Sequence, residues 1–243
     1  MMADLDWIVG FHAVLARLEA GRPVELLWLQ DGRRDSRLGR LEAVARDRGV
    51  PVRRVPRRRL DEVAAGQPHN GCAVRAAPVA LHAVADLVRP EGEPAALLLL
   101  DGVDDPHNLG AAVRTAAAFG LDGVIVAGPS APPLGGAASR AAAGHLERVP
   151  VARVNVAADA LAVLRGEGYW VFGAAMEGTP CPEVRVTARW VLCIGSEHRG
   201  LRAKTRSVVD ELVAIPMAEG VESLNMSVAA GVLVYQLRVA KKT

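Results

Sequence analysis

The feature that constrains this chain most is a run of six apolar residues, Ala95–Leu100, with no polar side chain among them. A strand with water on one face alternates polar and apolar residues, whereas a strand covered on both faces does not. The run is far short of the roughly 20 residues that cross a bilayer as a helix. It therefore reads as a doubly buried strand. Further apolar runs follow at Gly123–Ala127, Val151–Val154, Trp170–Ala174, Val191–Ile194 and Leu212–Ile215. Between them lie helical spacings: Asn108–Phe119 (stopped by Gly120), Ala137–Glu147, Ala158–Arg165, Leu201–Ser207 and the long Leu224–Ala240. This alternation predicts an α/β fold, a mostly parallel sheet with helices on both faces.

Residues 1–77 predict a separate, smaller α/β domain. Its helices are Phe11–Glu19, Arg37–Arg48 (Leu38, Leu41, Val44 and Ala45 on one face, Gly49 as the stop) and Arg59–Ala65. After a short apolar start at Trp7–Val9, its strands are Val24–Leu29, closed by Asp31-Gly32, then Val52–Val55 and Cys72–Arg75. Residues 78–94, with three prolines (Pro78, Pro90, Pro94), read as a linker with one helical turn. Residues 95–243 form the second domain.

At 243 residues and 51% hydrophobic, the chain can bury a full core without staples. Its first residues, Met-Met-Ala-Asp-Leu-Asp, have neither the basic nor the apolar region of a secretory signal, and no membrane span is expected. Cys72, Cys181 and Cys193 are odd in number and far apart, and the six His are scattered. This argues against a disulfide framework and a zinc site, and for a reducing, cytoplasmic setting with no metal. The net charge of +2 hides an asymmetry. Between Arg33 and Arg59 lie 11 Arg against Asp35, Glu42 and Asp47, a local balance of +8, so the rest of the chain sums to −6. Such a stretch is either a nucleic-acid-binding face or a solvated, arginine-rich surface.

The usual α/β ligand motifs are missing: no GxGxxG follows Ala95–Leu100, and there is no GxxxxGK[ST] or GxSxG. Instead, three polar segments each leave a buried strand. In the first, Leu100–Ala116, Asn108 stands where a helix N-cap is expected. Arg114 lies inside a helix of Ala, Val and Leu and needs an anionic partner, either Asp101, Asp104 or Asp105 or a ligand. The second, Gly195-Ser196-Glu197-His198-Arg199-Gly200, suits a tight turn with backbone amides facing a ligand, though GxExxG alone is a weak signal. In the third, Ile215–Gly231, Ser223, Asn225 and Ser227 crowd the start of the last helix. That is either a simple Ser cap or an anion site, suited to the carboxylate of an amino-acid ligand.

In this order and spacing the three segments resemble the motifs NxGAxxRTA, GxExxG and IPMxGxxxSLNxSVAxG of the SpoU/TrmH family of RNA ribose 2′-O-methyltransferases. They match at every polar position, over Asn108–Ala116, Gly195–Gly200 and Ile215–Gly231. Val9–Val14, Leu60-Asp61 and His69–Gly71 resemble the ribosomal-protein-L30e-like substrate-binding domain of the branch that acts on 23S rRNA guanosine. The resemblance implies a trefoil-knotted (SPOUT-type) C-terminal sheet with S-adenosylmethionine held in the knot loops. It also implies a homodimer that assembles each site across its interface, and 23S rRNA as substrate. Carried over, Gly195, Ile215 and Leu224 would cup the cofactor through backbone groups, with Met217, Ser223 and Asn225 around the same pocket. Arg114 would be the catalytic residue, supported by Asn108, Glu197, Ser223 and Asn225. A guanidinium holds its proton above roughly pH 12. Arg114 is therefore better suited to fixing a phosphate and stabilising a developing alkoxide than to removing a proton. Methylation of tRNA or of another rRNA nucleotide, and a non-catalytic RNA-binding role, are the alternatives. Pro129–Gly136 is a candidate flap over the RNA site.

Overall fold

The computed structural model describes residues 5–238. They form two compact units, and the division does not follow the chain. One unit holds the residues up to Val79 together with Pro133–Arg148; the other holds Ala80–Pro132 and the residues from Val149 on. Among the described residues no helix is long and apolar enough to cross a membrane.

In the first unit the strands are β1 (Asp6–Val9), β2 (Val24–Gln30), β3 (Val52–Val55) and β4 (Cys72–Ala76). They make a four-stranded sheet in the order β1-β4-β2-β3, antiparallel except for β2 with β3. Helices α1 (Phe11–Glu19) and α2 (Ser36–Asp47) seal one core, built from Phe11, Val14, Leu18, Leu27, Leu29 and Leu41 among others. The Asp35 side chain caps α2 by accepting from the Leu38 N–H at 3.0 Å, and Gly49 ends it at φ 66°. Helix α3 (Arg57–Ala64) covers a smaller cluster around Val9, Leu60 and Ala73. His69 is buried; its Nε2 lies 3.0 Å from Asp61 Oδ1, and its Nδ1 accepts from the Gly71 N–H at 3.0 Å. It thus fixes the turn through Asn70 (φ 52°) and Gly71 (φ 82°) that leads into β4.

The expected helix Ala137–Glu147 is broken. Helix α5 covers only Gly136–Ala141, and a 3-10 turn occupies His145–Glu147. Between them Ala143 and Gly144 take positive φ (50° and 86°). A Cβ at Gly144 would lie 2.7 Å from the His12 carbonyl oxygen and 2.5 Å from Ala16 Cβ, so close packing on α1 stops the helix. The same approach buries an ion pair: Arg17 Nε donates to Glu147 Oε1 at 2.9 Å, with both side chains at 3% exposure or less. Burial pushes the Arg17 guanidinium below its ordinary value, and Glu147 opposes that shift. Removing one partner of a buried pair leaves an uncompensated charge, which costs about 3–5 kcal/mol. Glu147→Ala is therefore expected to lower the stability of this unit by about that much in denaturant unfolding. A change below about 1 kcal/mol, the range of exposed pairs, would contradict it.

The second unit is a six-stranded sheet in the order β10-β8-β9-β5-β6-β7, parallel at every pairing. The strands are β5 (Ala95–Asp101), β6 (Gly123–Ala127), β7 (Val151–Val154), β8 (Trp170–Pro180), β9 (Arg189–Gly195) and β10 (Glu211–Ala214). Every residue of β5 is buried, as its unbroken apolar run requires. Helices α4 (Pro106–Ala118), α6 (Ala157–Gly166), α7 (Ala203–Arg206) and α8 (Met226–Arg238) complete it. The expected linker holds a 3-10 turn at Val84–Leu87 whose Leu87 joins the sheet core.

Two helix starts differ from expectation. Helix α4 begins before Asn108: Asp105 is the cap, accepting from the His107 N–H at 2.9 Å, with Pro106 in the first turn. Asn108 is the third helical residue, not the cap. Helix α8 begins at Met226, and its cap is Asn225 rather than Ser223. Asn225 Oδ1 accepts from the N–H groups of Ser227 (3.0 Å) and Val228 (3.4 Å). The expected end of that helix, Val239–Ala240, lies outside the described residues.

Candidate active site

The strand order places a switch point at the centre of the second sheet. From β5 the chain runs outward through β6 and β7, then returns to the far side, where β9 lies between β8 and β5. In open parallel sheets ligands bind outside the carboxyl ends of strands at such a point. Here those ends are Asp101 of β5 and Gly195 of β9, paired in register. The first two polar segments leave the sheet at these positions, and the third leaves β10.

The three segments meet in one hydrogen-bonded cluster. Asn108 Nδ2 donates to Glu197 Oε1 at 2.9 Å, and Asn225 Nδ2 donates to Asn108 Oδ1 at 3.0 Å and to Glu197 Oε1. The Met226 N–H donates to the same carboxylate oxygen at 3.2 Å. Glu197 thus lies at the N-terminus of α8, where the helix dipole favours negative charge. Its carboxylate holds together residues 89 and 28 positions away in sequence.

Beside this cluster is a cavity of about 360 Å³, within the ~300–1,000 Å³ of small-molecule sites. Gly195, Ile215, Met217, Ser223 and Leu224, which the family resemblance puts around one pocket, all line it, and Glu197 closes one side. Asn225 is not in its wall; it stands in the cluster next to it. A Cβ at Gly195 would fall 1.9 Å from the Gly200 carbonyl carbon and 2.2 Å from Leu201 N. The turn therefore folds back on itself at a distance only glycine permits.

One wall was invisible in the sequence. Strand β8 does not end at Ala174 but loops out and rejoins β10 at Thr179 and Pro180. The looped-out Ala174–Glu177 lines the cavity. Gly178 allows the return, since a Cβ there would lie 2.5 Å from the Leu212 carbonyl carbon. Glu177 pairs with Arg206. Its own N–H, and after it Arg206, hold the Glu177 carboxyl below the usual carboxylate range.

Arg114 is not brought to this cluster. It lies six residues past Asn108 on α4, about 9 Å along the axis and about 120° around it. It is exposed, does not line this cavity, and forms no ion pair among the described residues. Asp101, one of its expected partners, is engaged by Arg202 instead (Nε to Oδ1, 3.5 Å). The basic stretch is also less free than its sequence suggests. Arg33, Arg40, Arg54, Arg57, Arg58 and Arg59 are ion-paired, several of them to acids outside the stretch. Arg34, Arg46 and Arg53 are exposed and have no ion pair among the described residues.

Residues 95–235 match the model of the SpoU rRNA Methylase family, and residues 7–81 match that of the RNA 2′-O ribose methyltransferase substrate-binding domain. The 23S rRNA (guanosine-2′-O-)-methyltransferase RlmB of Xylella fastidiosa is 40% identical, with 95% of each chain covered. That of Escherichia coli is 38% identical, covering 95% of this chain and 97% of its own. An AdoMet-bound rRNA methyltransferase from Sinorhizobium meliloti superimposes with a TM-score of 0.82 at 24% identity, over 98% of this chain and 88% of that one. At that identity the likeness shows a common fold. Motifs, fold and near-full-length identity agree: the chain belongs to the SpoU rRNA methylase family.

Proposed function

We propose that this protein methylates the ribose 2′-oxygen of a guanosine in the peptidyl-transferase loop of 23S rRNA, using S-adenosylmethionine. The observation that carries this reading is the convergence of Asn108, Glu197 and Asn225 beside the cavity at the switch point. The cavity suits the cofactor: Ile194, Ile215 and Leu224 offer apolar walls to a flat base, and Glu177 and Glu222 offer carboxylates to hydroxyls or to a cationic centre. When bound, S-adenosylmethionine supplies a methyl group on a sulfonium, which is already a good leaving group. What remains for the protein is alignment of the 2′-oxygen and stabilisation of its developing charge. Gly195, Ile215 and Leu224 hold through backbone groups, Met217 and Ser223 shape the pocket, and the Asn108–Glu197–Asn225 cluster fixes its edge. Arg114 is the cation for the alkoxide and the neighbouring phosphate.

The same reading makes the protein a homodimer acting in the cytoplasm. On α8, Val228, Val232 and Tyr235 are 50%, 40% and 51% exposed. Their spacing aligns them along one stripe, apolar surface that a second copy would cover. Arg114, without an ion pair among the described residues, suits a role in the partner's site.

The test is transfer of labelled methyl groups to total unmodified RNA, followed by mapping of the modified nucleotide. Label at a 23S rRNA guanosine is expected. Label in tRNA or at another rRNA position would replace the substrate, and no label would favour a purely RNA-binding role. Reversing Arg34, Arg46 and Arg53 to Glu is expected to weaken RNA binding at moderate salt by roughly tenfold or more. Cofactor affinity should not change. Equal RNA binding by the reversed protein would remove this face from the interface.

A further inference from the structure

A second cavity, of about 540 Å³, adjoins the first. The two share Ser196, Glu197, Arg199 and Met226 as walls. Asn108, Ser130 and Arg202 also line the second one. None of the three sequence motifs includes Arg202, yet its setting is specific. Its backbone N–H donates to Asp101 Oδ2 at 3.1 Å, and its Nε lies 3.5 Å from Oδ1. The Asp101 carboxylate is fully buried, so its charge needs this cation.

The guanidinium reaches Asp101 through a slot between two strand ends. A Cβ at Gly128 would lie 2.6 Å from Nη2, and one at Gly102 would lie 2.9 Å from it. Both glycines have positive φ (121° and 85°). With Nε nearest to Asp101, neither Nη nitrogen has a hydrogen-bond partner among the described residues, and the side chain is 43% exposed. A guanidinium anchored on one edge and open on the other matches a phosphate, which it can grip with two parallel N–H bonds.

Resting on the reading that the first cavity serves methyl transfer to RNA, we propose that Arg202, held by Asp101, grips a backbone phosphate of the target strand in the second cavity. Arg199, exposed in both cavities, adds a second positive charge there. Glu197 adds little repulsion, because one of its oxygens already accepts three donors. Asp104, which also lines the cavity and is exposed, opposes the phosphate.

Three variants, Arg202→Gln, Arg202→Lys and Asp104→Asn, test this with the full-length enzyme and an unmodified 23S rRNA transcript. Arg202→Gln is expected to raise the KM for RNA about ten- to a hundredfold. It should also flatten the salt dependence of RNA binding by about one phosphate contact, a log–log slope change of about 0.7 for a single strand. Cofactor affinity, measured by calorimetry, stays. Arg202→Lys keeps the charge and the slope but loses the fork, so its KM falls between. Asp104→Asn lowers the KM a fewfold. A purely structural Arg202 would alter stability without moving the slope. Should Arg202→Gln fail to fold because Asp101 is left unpaired, the double variant Asp101→Asn/Arg202→Gln removes that charge, and Asp104→Asn reports on the cavity independently. Unchanged RNA KM and salt slope in the Arg202→Gln protein, or an unchanged or raised KM in Asp104→Asn, overturns the assignment. A wild-type enzyme that methylates no RNA overturns the activity beneath it, and that result precedes any variant.

Discussion

Gly195→Ala is expected to abolish uptake of S-adenosylmethionine. The added methyl group would sit 1.9 Å from the Gly200 carbonyl carbon, 2.1 Å from its oxygen and 2.2 Å from Leu201 N. All three atoms are backbone, so no side-chain rotation relieves the overlap. The turn is further held by the Gly200 N–H donating to the Ser196 carbonyl at 2.8 Å. Opening it would displace Glu197 from α8 and pull apart the wall common to both cavities. A loss of about 4 kcal/mol or more belongs to this kind of backbone collision. Gly200→Ala is the matched control: its Cβ would meet nothing within 4 Å, and only its φ of 59° is unfavourable to alanine, at about 1–2 kcal/mol. Calorimetry should find no saturable uptake in Gly195→Ala and near-normal uptake in Gly200→Ala. Equal binding by the two would mean that the backbone does not close as tightly as described.

Arg114→Ala is expected to remove nearly all methyl transfer while leaving cofactor affinity intact. Deleting one preorganised donor to a developing oxyanion lowers kcat by about 10²–10³, and Arg114 would also lose its hold on a phosphate. A shared site gives the prediction a second arm. Each of Arg114→Ala and Glu197→Gln alone should be nearly inactive. In a mixed population of two-fold dimers, about half pair one variant with the other, and each such dimer keeps one intact site, about a quarter of all sites. Co-expressed variants should therefore recover a readily measured fraction of wild-type activity. No recovery would place Arg114 and Glu197 of the same chain in one site. Substantial activity in Arg114→Ala alone would remove it from the chemistry.

How much of this was legible beforehand depended on whether local pattern or distant packing decides each element. Strands β5, β6 and β7 are readable because apolar runs bounded by glycine or polar residues have few other outcomes. The cap of α4 was also readable. Asp105-Pro106 carries a capping side chain followed by the residue favoured in the first turn, a stronger local signal than Asn108. The break at Ala143-Gly144 was not, because an alanine-rich stretch favours helix until α1 packs against it. The detour of β8 through Ala174–Glu177 is likewise set by its neighbour β10. The motifs gave the residues of the cluster, but only the strand order explains why Asn108, Glu197 and Asn225 meet. Arg202 is not legible in the sequence, because its setting depends on two glycines at the ends of other strands, Gly102 and Gly128.

The ion pair of Arg17 with Glu147 has a bearing on how such proteins can be rearranged. Residues 133–148 lie within the stretch that matches the methylase family model, yet they fold with the amino-terminal unit. A fragment beginning near residue 80 would keep Glu147 but lose both of its arginines, Arg17 and Arg22. An acid built for the interior would then face water beside stranded apolar surface. Swapping the first domain between relatives as a cassette would succeed only when this internal strap travels with it.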